Sequence, residues 1–97
     1  MLLRLDRAFL RVSGPDAIGF LDNLLTQDVT KLDDAGVLYS ALLTPQGKVV
    51  ADMFLWAERR RYETPDRTGV LIEMDRKPAG ELLRRLSMYK LRAAVTI

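Results

Sequence analysis

Two residue types are missing outright: the chain of 97 residues contains neither cysteine nor histidine. The first absence excludes disulfide staples, thiol nucleophiles and thiolate metal sites. The second removes the usual general base and the commonest metal ligand, so no resident metal is expected. Neither a Ser-His-Asp nor a Cys-His mechanism can be built from this chain alone. Long apolar runs are lacking as well; none approaches the roughly 20 residues of a membrane span. Met1-Leu2-Leu3 is followed at once by Arg4, Asp6 and Arg7, which is no secretory pattern. The expected location is the cytoplasm, with no membrane partner. An excess of one charge is also missing, since 15 Lys and Arg against 13 Asp and Glu leave only +2. Arg59-Arg60-Arg61 is flanked by Glu58, Glu63 and Asp66. It reads as a solvated loop, and nucleic acid is not an expected partner.

What is present fits a small globular unit. Hydrophobic residues make up 48% and charged ones 29% of the chain, an ordinary soluble balance. A length of 97 residues allows one domain with a marginal core.

Residues 37–56, VLYSALLTPQGKVVADMFLW, read as two strands around a tight turn. Thr44-Pro45-Gln46-Gly47 places proline second and glycine fourth, as a type I turn prefers. Such a turn with a left-handed glycine gives a three-residue hairpin loop with a bulge. Thr44 then opposes Lys48, and Ser40 faces Asp52. In that register Val37, Tyr39, Ala41 and Leu43 share an apolar core face with Val49, Ala51, Met53 and Leu55. A four-residue loop would set Tyr39 opposite Asp52 instead. Opposed residues have Cβ atoms about 4.5–5.5 Å apart, so either register brings a hydroxyl to the carboxylate. Which hydroxyl it is stays open. Asp52 stands between Val50 and Phe54 in an otherwise apolar strand, where an unpaired buried charge would be costly. Either its face simply meets water, or it is a ligand-facing acid. With Phe54 and Trp56 nearby, the second reading suits a flat, nitrogen-rich ring.

The rest of the chain supplies the frame. Two short strand-like pieces, LLRL and AFLRV, precede Ser13-Gly14-Pro15-Asp16, a helix start. Ala17, Ile18, Phe20, Leu21, Leu24 and Leu25 follow helical spacing. Asp28, in the loop after that helix, is read as bonding nearby backbone amides. Residues 58–68 read as a polar surface loop, with a turn at Thr64-Pro65-Asp66. Residues 69–74 read as a strand. A second helix opens near Asp75 or Lys77 with Pro78 in its first turn. Its stripe is Ala79, Leu82, Leu83 and Leu86, and Arg84 and Arg85 complement its dipole. Residues 92–97 read as a last strand. The predicted order is β-β-α-β-β-β-α-β, an α+β layer with a mostly antiparallel sheet and two helices on one face. The chain stops in that last strand with no polar tail, so a truncated domain portion is expected.

Three segments together carry a family resemblance: TQDV after the first helix, YSALLTPQGKVVADMFLW in the hairpin and RRLSMYKLRAAVTI at the end. Over residues 5–97 the chain resembles the N-terminal part of the YgfZ-type folate-binding proteins. These are relatives of the aminomethyltransferase (T-protein) of the glycine cleavage system. The resemblance implies a protein about three times as long, of several small domains around a folate-binding opening. It also implies a role in iron–sulfur cluster assembly or repair, with effects on radical enzymes that modify tRNA. The family's Lys-Gly-Cys-Tyr-x-Gly-Gln-Glu segment is missing here. The Asp-Asp pair of the aminomethyltransferases falls on Ala51 and Asp52. Their folate-contacting aspartate matches Asp52, and a hairpin tyrosine matches Tyr39. The candidate site is therefore Asp52, as the catalytic or cofactor-binding acid, with Tyr39 and Ser40. The expected cofactor is tetrahydrofolate or a derivative, in a site completed by the missing C-terminal part. Three functions compete: iron–sulfur maintenance with iron–sulfur proteins as partners, aminomethyl transfer in which Asp52 assists electrostatically, and an inert fragment that self-associates through sheet edges.

Overall fold

The computed structural model describes residues 6–58, 69–90 and 93–97. The expected LLRL piece, the 58–68 loop beyond Glu58 with its arginine run and Thr64-Pro65-Asp66 turn, and Arg92 lie outside the described residues. Strand β1 (Arg7–Ser13) is followed by helix α1 (Ala17–Leu24), a 3-10 turn (Val29–Lys31) and a one-turn helix α2 (Leu32–Ala35). Then come β2 (Val37–Leu43), β3 (Val49–Glu58), β4 (Gly69–Asp75) and α3 (Arg76–Tyr89). The sheet is antiparallel throughout, in the order β1-β4-β3-β2. The α+β class with two main helices stands. The strand count does not: residues 93–97 make one bridge, Thr96 to Ser13, where a full strand was expected.

Strict alternation decides which residues the sheet buries. Val70, Ile72 and Met74 of β4 point to the core, beside Leu10 and Val12 of β1 and Ala51, Met53 and Leu55 of β3. Helix α1 covers this face with Ala17, Phe20 and Leu21, and α3 with Leu82 and Leu86. All belong to one apolar cluster. Full burial of each large aliphatic side chain contributes about 1.5–3 kcal/mol, which is what an amphipathic helix needs to hold its place. The sheet's other face has no layer over it among the described residues, and Phe9 and Tyr39 on it are 56% and 53% exposed.

Helix ends depart from the simplest reading because their side chains are engaged elsewhere. Asp16 caps α1 in position but makes no side-chain cap bond. Its carboxylate accepts the Ala94 amide (2.8 Å), and its own amide donates to the Ala94 carbonyl (3.3 Å). Asp75 precedes α3 and likewise makes no side-chain cap, while its Oδ1 accepts from Arg7 (2.8 Å). On α3, Arg84 and Arg85 both bind Glu81 (2.6 and 2.8 Å). Their hydrogen bonds hold the Glu81 carboxyl down at about 2.

Gly14 lies where the last segment crosses the start of α1. Its φ is +119°, and a Cβ there would sit 2.4 Å from the Ala94 carbonyl oxygen. Gly80, inside α3, has nothing within 4 Å of that position. Opposite outcomes are expected from the same substitution. Gly14→Ala lowers unfolding stability by more than ~1 kcal/mol, whereas Gly80→Ala raises it by up to ~1 kcal/mol. Urea denaturation of both variants checks the pair.

Candidate functional site

The hairpin turn forms as the residues dictate. Gly47 takes φ +89°. Thr44 N donates to Lys48 O (2.7 Å), and Gly47 N donates to Thr44 O (2.9 Å). Thr44 therefore opposes Lys48, as in the expected three-residue loop, and Leu43 pairs with Val49. The register then shifts. Leu42 pairs with Ala51, so Val50 is passed over, and from there Ala41 opposes Asp52 and Tyr39 opposes Phe54.

One skipped residue inverts every face beyond it. Of the expected core set, Val37, Tyr39, Ala41 and Leu43 turn outward and Val49 is exposed, while Ala51, Met53 and Leu55 stay buried. Leu38, Ser40 and Leu42 turn inward. Asp52 then shares the outer face with Tyr39, one diagonal step away, a separation long aromatic side chains span. The Tyr39 hydroxyl donates to Asp52 Oδ2. That bond to a carboxylate favours the protonated phenol and raises the Tyr39 pKa above its ordinary value. Among the described residues, the hydrogen-bond partner found for Asp52 is thus a neutral hydroxyl. Phe54 meets the Tyr39 ring edge to face, with centroids 5.2 Å apart.

Ser40 goes elsewhere. It is 2% exposed on the core face. Its Oγ accepts the Gln27 amide (3.1 Å) and is bonded to the Thr26 hydroxyl (3.3 Å). Thr26 Oγ1 in turn accepts the Ala41 amide (3.1 Å). Ser40 therefore ties the loop after α1 to the edge of β2, on the side of the sheet away from Asp52 and Tyr39. Asp28 acts locally, as read from the sequence: it accepts the Thr30 amide (3.1 Å) and the Thr30 hydroxyl, and the latter bond lowers its pKa.

The outer face holds groups that pattern reading of the hairpin alone did not reach. Trp56 Nε1 donates to Glu73 Oε1 (3.0 Å), and Arg7 Nε donates to Glu73 Oε2 (3.1 Å). Phe9, Glu73, Phe54 and Tyr39 form one row across the four strands. The signal for Glu73 was the alternation of residues 69–75, in which every second residue is buried. No cluster of three or more metal-ligating side chains occurs among the described residues. A depression of about 480 Å³, lined by Pro15, Gly19, Phe20, Asn23, Leu24 and Tyr89 among others, lies on the helical layer and is separate from this face.

The pairing has a pH signature. Tyr39 carries a raised pKa, so its contribution is complete below the unfolded value of about 10. It is lost as the pH climbs through the higher folded value. Ultraviolet titration is expected to show one tyrosine ionising late, and Asp52→Asn is expected to bring it back toward the ordinary range.

Comparison with known proteins adds the family context. No family model matches the chain. It is 35% identical over 91 residues to the "Iron-sulfur cluster assembly factor IBA57 homolog, mitochondrial" of Pyricularia oryzae, covering 94% of this chain and 22% of the relative. It is 34% identical over 103 residues to the human "Iron-sulfur cluster assembly factor IBA57, mitochondrial", covering 97% and 28%. The chain thus spans about a quarter of the length of these relatives. Its fold matches part of the aminomethyltransferase T of the glycine cleavage system from Bartonella henselae, with a TM-score of 0.73 at 20% identity over 94% of this chain. The expected cytoplasmic location does not stand, because these relatives are mitochondrial by name. Over nearly its whole length, this chain is similar in sequence to part of the mitochondrial IBA57 proteins and has the fold of the matching part of an aminomethyltransferase.

Proposed function

We propose that this chain is part of an iron–sulfur cluster assembly factor, and that the outer sheet face around Tyr39 and Asp52 is one wall of its tetrahydrofolate site. The names of the relatives support the first half of the reading. The second half rests on one observation: a carboxylate aligned by a tyrosine hydroxyl, beside an exposed phenylalanine, on an uncovered sheet face. A reduced pterin is flat and carries several N–H donors. Asp52 accepts such donors, with Tyr39 holding one of its oxygens, and the aromatic side chains take the ring's apolar surface. Burial of a charged hydrogen bond under the ligand would make it the dominant polar contact. Iron–sulfur proteins, including radical enzymes that act on tRNA, are the partner class of the whole protein in this reading.

The wall stands open on this chain, so affinity is expected to be weak. Titration of the ¹⁵N-labelled chain with 5-formyltetrahydrofolate, a reduced folate stable to air, is expected to shift the resonances of Tyr39, Asp52, Phe54 and Trp56. Asp52→Asn is expected to weaken binding at least about tenfold. Shifts confined to the depression around Pro15 and Tyr89, or an unchanged affinity in Asp52→Asn, would remove the assignment.

A further inference from the structure

Trp56 is the single tryptophan of the chain. It lies four residues beyond Asp52 on the same strand face, roughly 13 Å along β3. A ligand that engages both must be extended, as a reduced folate is, with its pterin linked to a second, aryl ring. An exposed tryptophan samples several rotamers, and immobilising it on binding costs affinity. Here the ring is held before any ligand arrives. Glu73 Oε1 accepts the indole N–H (3.0 Å), and Glu73 Oε2 is held by Arg7 Nε (3.1 Å). Arg7 Nη1 is itself anchored to Asp75 (2.8 Å). The Arg7 and Glu73 side chains are only 20% and 24% exposed, which limits solvent screening of the pair. Glu73 also stands in register between Phe9 and Phe54, so aromatic rings flank it on both neighbouring strands.

We propose that Glu73, braced by Arg7, is a positioning residue that fixes Trp56 as the stacking wall for the aryl ring of a reduced folate. This inference rests on the folate reading above. It adds a second ring contact and a residue that never touches the ligand.

A double-mutant cycle on the labelled chain tests it. In the free protein, Glu73→Ala is expected to speed solvent exchange of the Trp56 indole N–H and lower its fluorescence anisotropy. Glu73→Gln, which keeps an acceptor for the indole, restores most of both. Toward 5-formyltetrahydrofolate, Glu73→Ala is expected to weaken binding roughly three- to tenfold. In a Trp56→Phe background, followed through the Tyr39 and Phe54 amides, the same change is expected to have no further effect. Equal losses in both backgrounds, or an indole indifferent to Glu73→Ala, would overturn the positioning role while leaving the folate site intact. No ligand shift in the parent chain, with Asp52→Asn equally silent, would sink the folate reading and this inference with it.

Discussion

A single skipped residue in β3 decides which side chains of the hairpin face outward. Pairing starts at the Thr44–Gly47 turn in one register and leaves it in another, because Val50 has no partner between Leu42 and Leu43. The side-chain period of a strand is two, so one unpaired residue exchanges the buried and exposed sets of β2 relative to β3. Tyr39 and Asp52 meet only because of that exchange. The same step sends Ser40 inward, where its hydroxyl meets the amide of Gln27. Site and anchor are two results of one irregularity.

The helical layer fills one face of the sheet and, among the described residues, leaves the other uncovered. Helix α1 is tied at both ends by polar contacts that serve tertiary structure rather than the helix itself. At its start Asp16 holds the Ala94 segment by two hydrogen bonds. After its end Thr26 and Gln27 hold β2 through Ser40. Both sheet edges are met in this way, β1 by Thr96 and β2 by Leu25. Each contact is a single bridge, which satisfies backbone groups of the edge strand at one point only. Charges on the outer face are arranged to fix geometry: Arg7 bridges Glu73 and Asp75, and Glu73 receives Trp56.

The fold is shared with an aminomethyltransferase at low identity, and the sequence is shared with iron–sulfur assembly factors at higher identity. A fold hosts many chemistries, so the sequence relationship carries more weight for function than the architecture does. The chain has no cysteine and so offers no thiolate, the usual ligand for an iron–sulfur cluster. What this chain itself sets on one face is an acid, a phenol and aromatic rings.

Much of this was legible from local chemistry. The Pro-Gly turn, the two amphipathic helices, the α+β class and an acid set among apolar neighbours at Asp52 follow from residue types at short spacing, where sterics and periodicity act within a few residues. The expected cytoplasmic location rested on composition alone, and the names of the relatives overturn it. The final strand was overcalled because β-branched residues mark a preference for extended backbone, and pairing needs a partner edge. The partner of Asp52 was left open between two hydroxyls, because a one-residue bulge costs little locally. It is selected by the packing of Leu38, Leu42, Met53 and Leu55 against helices distant in sequence. Glu73 and Arg7 lie 66 residues apart and meet only when β1 and β4 pair. Contacts of that separation have no trace in short-range pattern, because the chain entropy they overcome is repaid only by the assembled core.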